Sequence, residues 1–145
     1  MSNYLELRDV FFKDMNELRL QVEALKEKMA EKKWIEVGEG WHQLIVDCDK
    51  ELSAIDPNYG VLQIKEKFGA LRYYMTPSND TTSEQRDAMW GITYKYEELS
   101  KTICEATGGP GVLMKSIGGW RKTLNPEYAA NTLHYAKYTV VEKGL

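Results

Sequence analysis

The sequence predicts an α+β fold: a long, coiled-coil-like N-terminal helix, two further helices, two β-hairpins and a short C-terminal helix. Three observations carry this. Three stretches repeat apolar residues at steps of three and four, as the buried stripe of a helix does. Around Gly69 β-branched and aromatic residues alternate with polar ones at period two, the mark of a half-buried strand pair. Clusters of glycine, proline and asparagine at 38–40, 57–60, 77–80, 108–111 and 118–119 punctuate these stretches. A length of 145 residues fits one domain, 1–145, with 1–34 as a projecting helix and 35–145 as an α+β body.

Residues 3 to about 33 read as one helix. Phe11, Met15, Leu18, Val22, Leu25 and Met29 form a seam of period near 3.5. Lys26, Glu27, Lys28, Glu31 and Lys32 make a solvated charged face. Some 30 residues at 1.5 Å each span roughly 45 Å, more than a small domain can cover. An overhanging seam asks for a partner helix, and a symmetric dimer is the simplest one; packing on the chain's own later helices is the alternative. A second helix opens at Trp41 and carries Trp41, Leu44, Ile45, Cys48, Leu52 and Ile55 on one face, with His42, Asp47 and Asp49 off it.

Val61 to Met75 read as the first hairpin, turning at Gly69, whose lack of a Cβ permits positive φ. Alternation sends Leu62, Ile64, Leu71 and Tyr73 one way and Gln63, Lys65, Arg72 and Tyr74 the other. Thr82 and Gln85 form a capping-box signature for a third helix with the seam Met89, Ile92, Tyr96, Leu99, Ile103 and Ala106, ended by Gly108-Gly109-Pro110-Gly111. Trp90 and Tyr94 fall off that seam and need another surface to cover them. Val112–Lys115 and Trp120–Leu124 make a second hairpin around Gly118-Gly119. Asn125-Pro126 caps a short helix through His134, and 138–141 add an edge strand.

Composition narrows the function. A net charge of −3 argues against a general nucleic-acid coat. No apolar run reaches the roughly 20 residues of a membrane span, and the start of the chain is polar where a leader would be apolar. The expectation is therefore a cytoplasmic protein with no membrane partner. Cys48 and Cys104 read as buried free thiols.

Four blocks then line up: Gly40-Trp41-His42-Gln43-Leu44-Ile45; Gln63-Ile64-Lys65-Glu66-Lys67-Phe68-Gly69-Ala70-Leu71-Arg72-Tyr73-Tyr74; Ser100 to Gly108; and Gly119-Trp120-Arg121-Lys122-Thr123-Leu124. Over residues 35 to about 130 the set resembles a group of small, functionally uncharacterised bacteriophage and prophage proteins. Members continue with Cys-x-x-Cys-Gly and Thr-Leu-Cys-x-x-His, which looks like a zinc knuckle. Here segment 104–134 is vestigial: Cys104 remains, while Thr107, Asn125 and Tyr128 stand where a thiolate, a second thiolate and the imidazole would be. Structural zinc needs four thiolate or imidazole ligands, so no metal and no cofactor are expected. A lone His134 does not restore the set.

No nucleophile, base or phosphate loop is recognisable. His42 and His134 stand in no catalytic motif, Gly108 to Gly111 lack the trailing lysine of a phosphate loop, and Asp47, Asp49 and Glu51 have no paired acid–base signal. Binding without catalysis is the expectation. Lys65, Lys67 and Arg72 can neutralise phosphate, Phe68 and Tyr74 can stack a base, and Trp120 and Arg121 add a second hairpin's contribution beside Lys115 and Lys122. The plainer reading of these cations is a solvated strand face. Together with the phage resemblance they imply a counter-defence protein that sequesters a small anionic, nucleotide-like ligand. Alternatives are a protein that blocks a host defence enzyme, or a remnant nucleic-acid-binding knuckle module.

Overall fold

The computed structural model of the chain describes residues 4–29 and 34–142, with side chains from Asp14 onward. Among these residues there are four helices and two three-stranded sheets, and the chain is α+β. Helix α1 (Tyr4–Lys26) leads to strand β1 (Ile35–Glu36), a 3₁₀ turn at Glu39–Trp41 and helix α2 (His42–Ile55). Strands β2 (Gly60–Lys67) and β3 (Ala70–Thr76) form the first hairpin, followed by α3 (Ser83–Ser100). Strands β4 (Val112–Lys115) and β5 (Arg121–Leu124), helix α4 (Pro126–Ala130) and strand β6 (Thr139–Val140) complete the chain. The first sheet has the order β1-β2-β3, with β1 parallel to β2; the second has the order β5-β4-β6, antiparallel throughout. No described helix is long and apolar enough to cross a membrane.

The expected long coiled-coil helix is not there. The chain leaves the helix at Lys26, turns, and lays Met29 beside Val61 as a parallel bridge. Of the seam, Val22, Leu25 and Met29 are buried in this chain's own core, while Met15 is exposed. Tertiary burial within this chain takes up the last turns of the seam, from Val22 to Met29. The side chain of Phe11, and Glu31 and Lys32 of the charged face, lie outside the described residues.

Helix α2 turns its stripe inward: Trp41, Ile45, Cys48 and Leu52 are fully buried, Leu44 nearly so. They pack with Leu25, Met29, Val61, Ile64, Leu71, Tyr73, Met75, Met89 and Tyr96 as one core. Within it lies a polar network. Asp49 accepts hydrogen bonds from Lys28 (2.7 Å), Ser53 and Tyr59, and Tyr59 meets the Tyr73 hydroxyl at 2.7 Å. Burial pushes both phenols well above their ordinary pKa, so they stay neutral and hydrogen-bonded. Asp49 thus ties α1, α2 and the first hairpin together, and it is not a solvated outer acid.

A bulge between Val61 and Gln63 corrects the expected alternation. It turns Val61 into the core and leaves Leu62 exposed; Ile64, Leu71 and Tyr73 remain inside. At the hairpin turn both Phe68 (φ 55°) and Gly69 (φ 84°) adopt positive φ, the requirement of a tight I′-like connection. Helix α3 starts at the Thr82–Gln85 capping box but stops at Ser100, short of the glycines. The hydroxyls of Ser100 and Thr102 donate to the carbonyls of Glu97 and Leu99, and Ile103 instead bridges to Pro110. Helix α4 ends at Ala130 rather than near His134. The Asn131 amide and Thr132 hydroxyl bond back to the Glu127 and Tyr128 carbonyls.

The two sheets are joined where residues 38–41 lie on the 103–108 loop. The Trp41 indole donates to the Ile103 carbonyl (2.8 Å), and the Gly40 amide to the Glu105 carbonyl (2.8 Å). A Cβ on Gly40 would stand 2.2 Å from the Cys104 carbonyl oxygen, so no other residue fits there without moving the loop. Gly40→Ala is expected to lose about 3 kcal/mol, the upper end of overpacking costs. Urea unfolding at unchanged m-value would read this, and an unshifted midpoint would show that the loop yields.

Asp56, at the end of α2, is buried, which opposes its ionisation. Bonds from the Ser78 amide (2.7 Å), the Ser78 hydroxyl (2.8 Å) and the Asn58 amide (3.2 Å) outweigh that and hold its pKa below the usual carboxylate value. A folded pKa below the unfolded one, near 3.9, contributes stability that is complete above about pH 4 and lost as pH falls through the folded pKa. Asp56→Asn is expected to cost about 1–3 kcal/mol at neutral pH, with the gap to the parent narrowing in acid. A gap independent of pH would place the loss in shape rather than charge.

Candidate functional site

On α3 the residues Trp90, Thr93, Tyr94 and Glu97 follow the spacing i, i+3, i+4, i+7 and so share one face. The core face of the same helix carries Met89 and Tyr96. Beside it runs β3, whose Leu71 amide donates to Ser100 Oγ at 2.9 Å, drawing helix and strand together. Between them lies a groove of about 220 Å³ lined by Leu71, Arg72, Tyr73, Tyr74, Trp90, Thr93, Tyr94 and Glu97. Its rings are open to solvent: Tyr74, Trp90 and Tyr94 are exposed by 39, 49 and 63%. Three large aromatics around one concavity are unusual on a protein surface, where charged and small polar residues prevail.

At its floor Arg72 Nη1 donates to Glu97 Oε1. The Arg72 Nε–H is buried with no hydrogen-bond partner among the described residues. Glu97 meets the charge of the guanidinium, whose side chain stays part-exposed. Across the hairpin Lys65 stands opposite Arg72, and its ammonium sits 5.7 Å from the Tyr74 ring centre.

The seven residues singled out from the sequence divide here. Arg72 and Tyr74 line the groove and Lys65 adjoins it through Tyr74. Lys67 and Phe68 sit at the tip of the first hairpin, and Trp120 and Arg121 at the turn of the second, outside this groove. Lys122 is engaged elsewhere, bonded to Glu66 (3.2 Å) and to the buried Glu105 (3.0 Å). Trp90, Tyr94 and Glu97 complete the groove but were not among the seven. Their signal was the pair of aromatics left off the α3 seam; Glu97 gave none, since its partner is 25 residues away.

The acids of α2 are also spoken for. Glu51 accepts from Lys95 and Tyr96, Asp47 from Gln43, and Asp49 belongs to the core network. Burial lowers the pKa of His42, against the pull of Glu39, and its ring bonds to the Val37 backbone.

The four knuckle positions do come together. Cys104 is wholly buried, with the Thr107 hydroxyl and the amides of Asn125, Thr107 and Ala106 near enough to its sulfur to favour the thiolate. Burial raises the thiol's pKa, but these donors outweigh it and the net shift is downward. The other three positions suit zinc neither in chemistry nor in freedom. Asn125 Oδ1 caps α4 through the Tyr128 amide (3.1 Å) and its Nδ2 donates to the Pro110 carbonyl (3.1 Å). Thr107 Oγ1 accepts from the Gly109 amide. Among the described residues no three of His, Cys, Asp and Glu are grouped to hold a metal, and His134 packs edge-on against Tyr135.

No family model, curated protein or solved structure matches this chain significantly.

Cys104→Ala empties part of a wholly buried site and takes the sulfur from its polar neighbours, and is expected to destabilise by about 1–3 kcal/mol. Cys104→Ser, which leaves an acceptor in place, loses less, and a chelator shifts neither melting curve. Equal losses for the two variants would assign the role of Cys104 to volume alone.

Proposed function

We propose that the chain is a binding protein without catalysis that holds a small anionic, nucleotide-like ligand in the α3–β3 groove. The observation that carries this reading is the convergence of Tyr74, Trp90 and Tyr94 around the part-exposed guanidinium of Arg72. A planar base between the rings gains stacking worth about 1–3 kcal/mol by the measure of single aromatic substitutions. Its edge accepts a hydrogen bond from Arg72. Since Glu97 meets the charge of Arg72, that residue recognises the ring, and Lys65, at the groove's edge, takes the phosphate.

Nothing in the groove pairs a nucleophile with a base, so the ligand is retained rather than cleaved. With the resemblance to phage proteins, such retention describes a counter-defence protein that removes a nucleotide signal from the host cytoplasm. Each groove ring comes from the same chain, so binding requires no second copy.

Isothermal titration against a panel of mononucleotides, cyclic dinucleotides and ADP-ribose-type compounds is expected to give saturable binding to at least one, recovered intact by mass spectrometry. Trp90→Ala should weaken it about tenfold, within the range of one stacking contact, without lowering the melting temperature, because Trp90 is half exposed. Silence across the panel, or turnover of the bound compound, rejects the reading.

A further inference from the structure

The tips of the two hairpins meet away from the groove, and their juxtaposition forms a second surface. Gly69 at the first tip rests on the second hairpin: its carbonyl accepts from Thr123 Oγ1 at 2.6 Å, and a Cβ there would stand 2.6 Å from Leu113 Cδ1. Leu113 and Thr123 are cross-strand partners, as are Lys115 and Arg121, two residues nearer the turn. Side chains two apart on a strand share a face. Lys67 and Phe68 are therefore brought to the same face that carries Lys115 and Arg121, and Trp120 stands at the turn next to Arg121.

We propose that this face binds single-stranded nucleic acid. Four features converge on that chemistry. First, no acidic residue occurs between Glu105 and Glu127, although the whole chain is acidic. Second, Lys115 and Arg121 stand directly opposite each other, an unfavourable pairing that a bound anion relieves. Neither they nor Lys67 form an ion pair among the described residues. The comparable pair Lys65 and Arg72 has Glu97 beside it.

Third, Phe68 and Trp120 are exposed by 70 and 76%, offering flat rings interleaved with these cations. The Trp120 end is held rigid: its amide donates to Ser116 Oγ and its carbonyl accepts the Ser116 amide at 2.9 Å. Fourth, Phe68 is a bulky residue at φ 55°, where glycine or asparagine would sit with less strain. Its exposed ring makes no core contact to offset that strain, so the sequence keeps an aromatic where stability favours another residue. Two rings and three cations suit unstacked bases on a short stretch of strand. A duplex keeps its bases stacked, and an anionic lipid surface is recognised by charge and apolar insertion with no need of separate stacking rings.

Fluorescence anisotropy of the full chain with a labelled oligothymidylate of about a dozen nucleotides tests this. Saturable binding is expected, with a log–log salt slope of about −2 from three cations at about −0.7 each. Trp120→Ala should weaken it about tenfold, and the double variant K115E/R121E should abolish it. Phe68→Asn separates binding from folding: it should raise the melting temperature while weakening binding. Absence of binding at low salt overturns the proposal, as does affinity unchanged in both aromatic variants. Equal affinity for duplex overturns it too, and so does binding to phosphatidylglycerol vesicles without binding to the oligonucleotide. Trp90→Ala should leave this binding intact, so failure of the groove reading and failure of this one are told apart.

Discussion

The contact on which the architecture depends is a backbone-to-backbone one. Residues 38–41 lie so close to the 103–108 loop that the Gly40 amide reaches the Glu105 carbonyl and a side chain at Gly40 would collide with Cys104. Trp41 seals the same seam, with its ring in the core and its N–H on Ile103. Glu105 extends it: its carboxylate accepts the Gly38 amide and the Lys122 ammonium, and its own amide donates to Thr123. Through this one junction the second sheet is fixed on the helical body, and the hairpin tips are brought into register.

A buried acid at such a junction is favourable only because its charge is matched. Glu105 faces Lys122, and Lys122 also reaches Glu66 on the first hairpin, so three charged groups from three segments are satisfied together. Arg72 with Glu97 repeats the device beside α3. Arg72 and Lys122 are thus structural, whereas Lys65, Lys67, Lys115 and Arg121 form no ion pair among the described residues. Counting positive residues along the chain does not separate these groups; knowing which have acids at hand does.

Cys104 anchors the second, smaller core of the chain. Amide and hydroxyl groups from two chain segments lie around one sulfur and lower its pKa against the effect of burial. Asn125 and Thr107 beside it serve as a helix cap and in loop-closing hydrogen bonds. The unit is held by directional hydrogen bonding within a small core of Cys104, Met114, Leu124 and Ala129.

What the sequence determined by itself is what short-range physics controls. The stripe of α2, the Thr82 and Asn125 caps, the turn at Gly69 and the strand pairs on either side of Gly118-Gly119 all rest on residues within a few positions of one another. What only the tertiary structure decided is where distant segments compete for the same groups. The helix from α1 stops at Lys26 because Met29 is wanted beside Val61, and a bulge exchanges Val61 for Leu62 in the core. Arg72, legible as a phosphate ligand, is met by a glutamate from α3, and the seven foreseen site residues are parted between a groove and a pair of tips. Periodicity records which face of an element is apolar, but carries no information on which remote carboxylate or strand that face will meet.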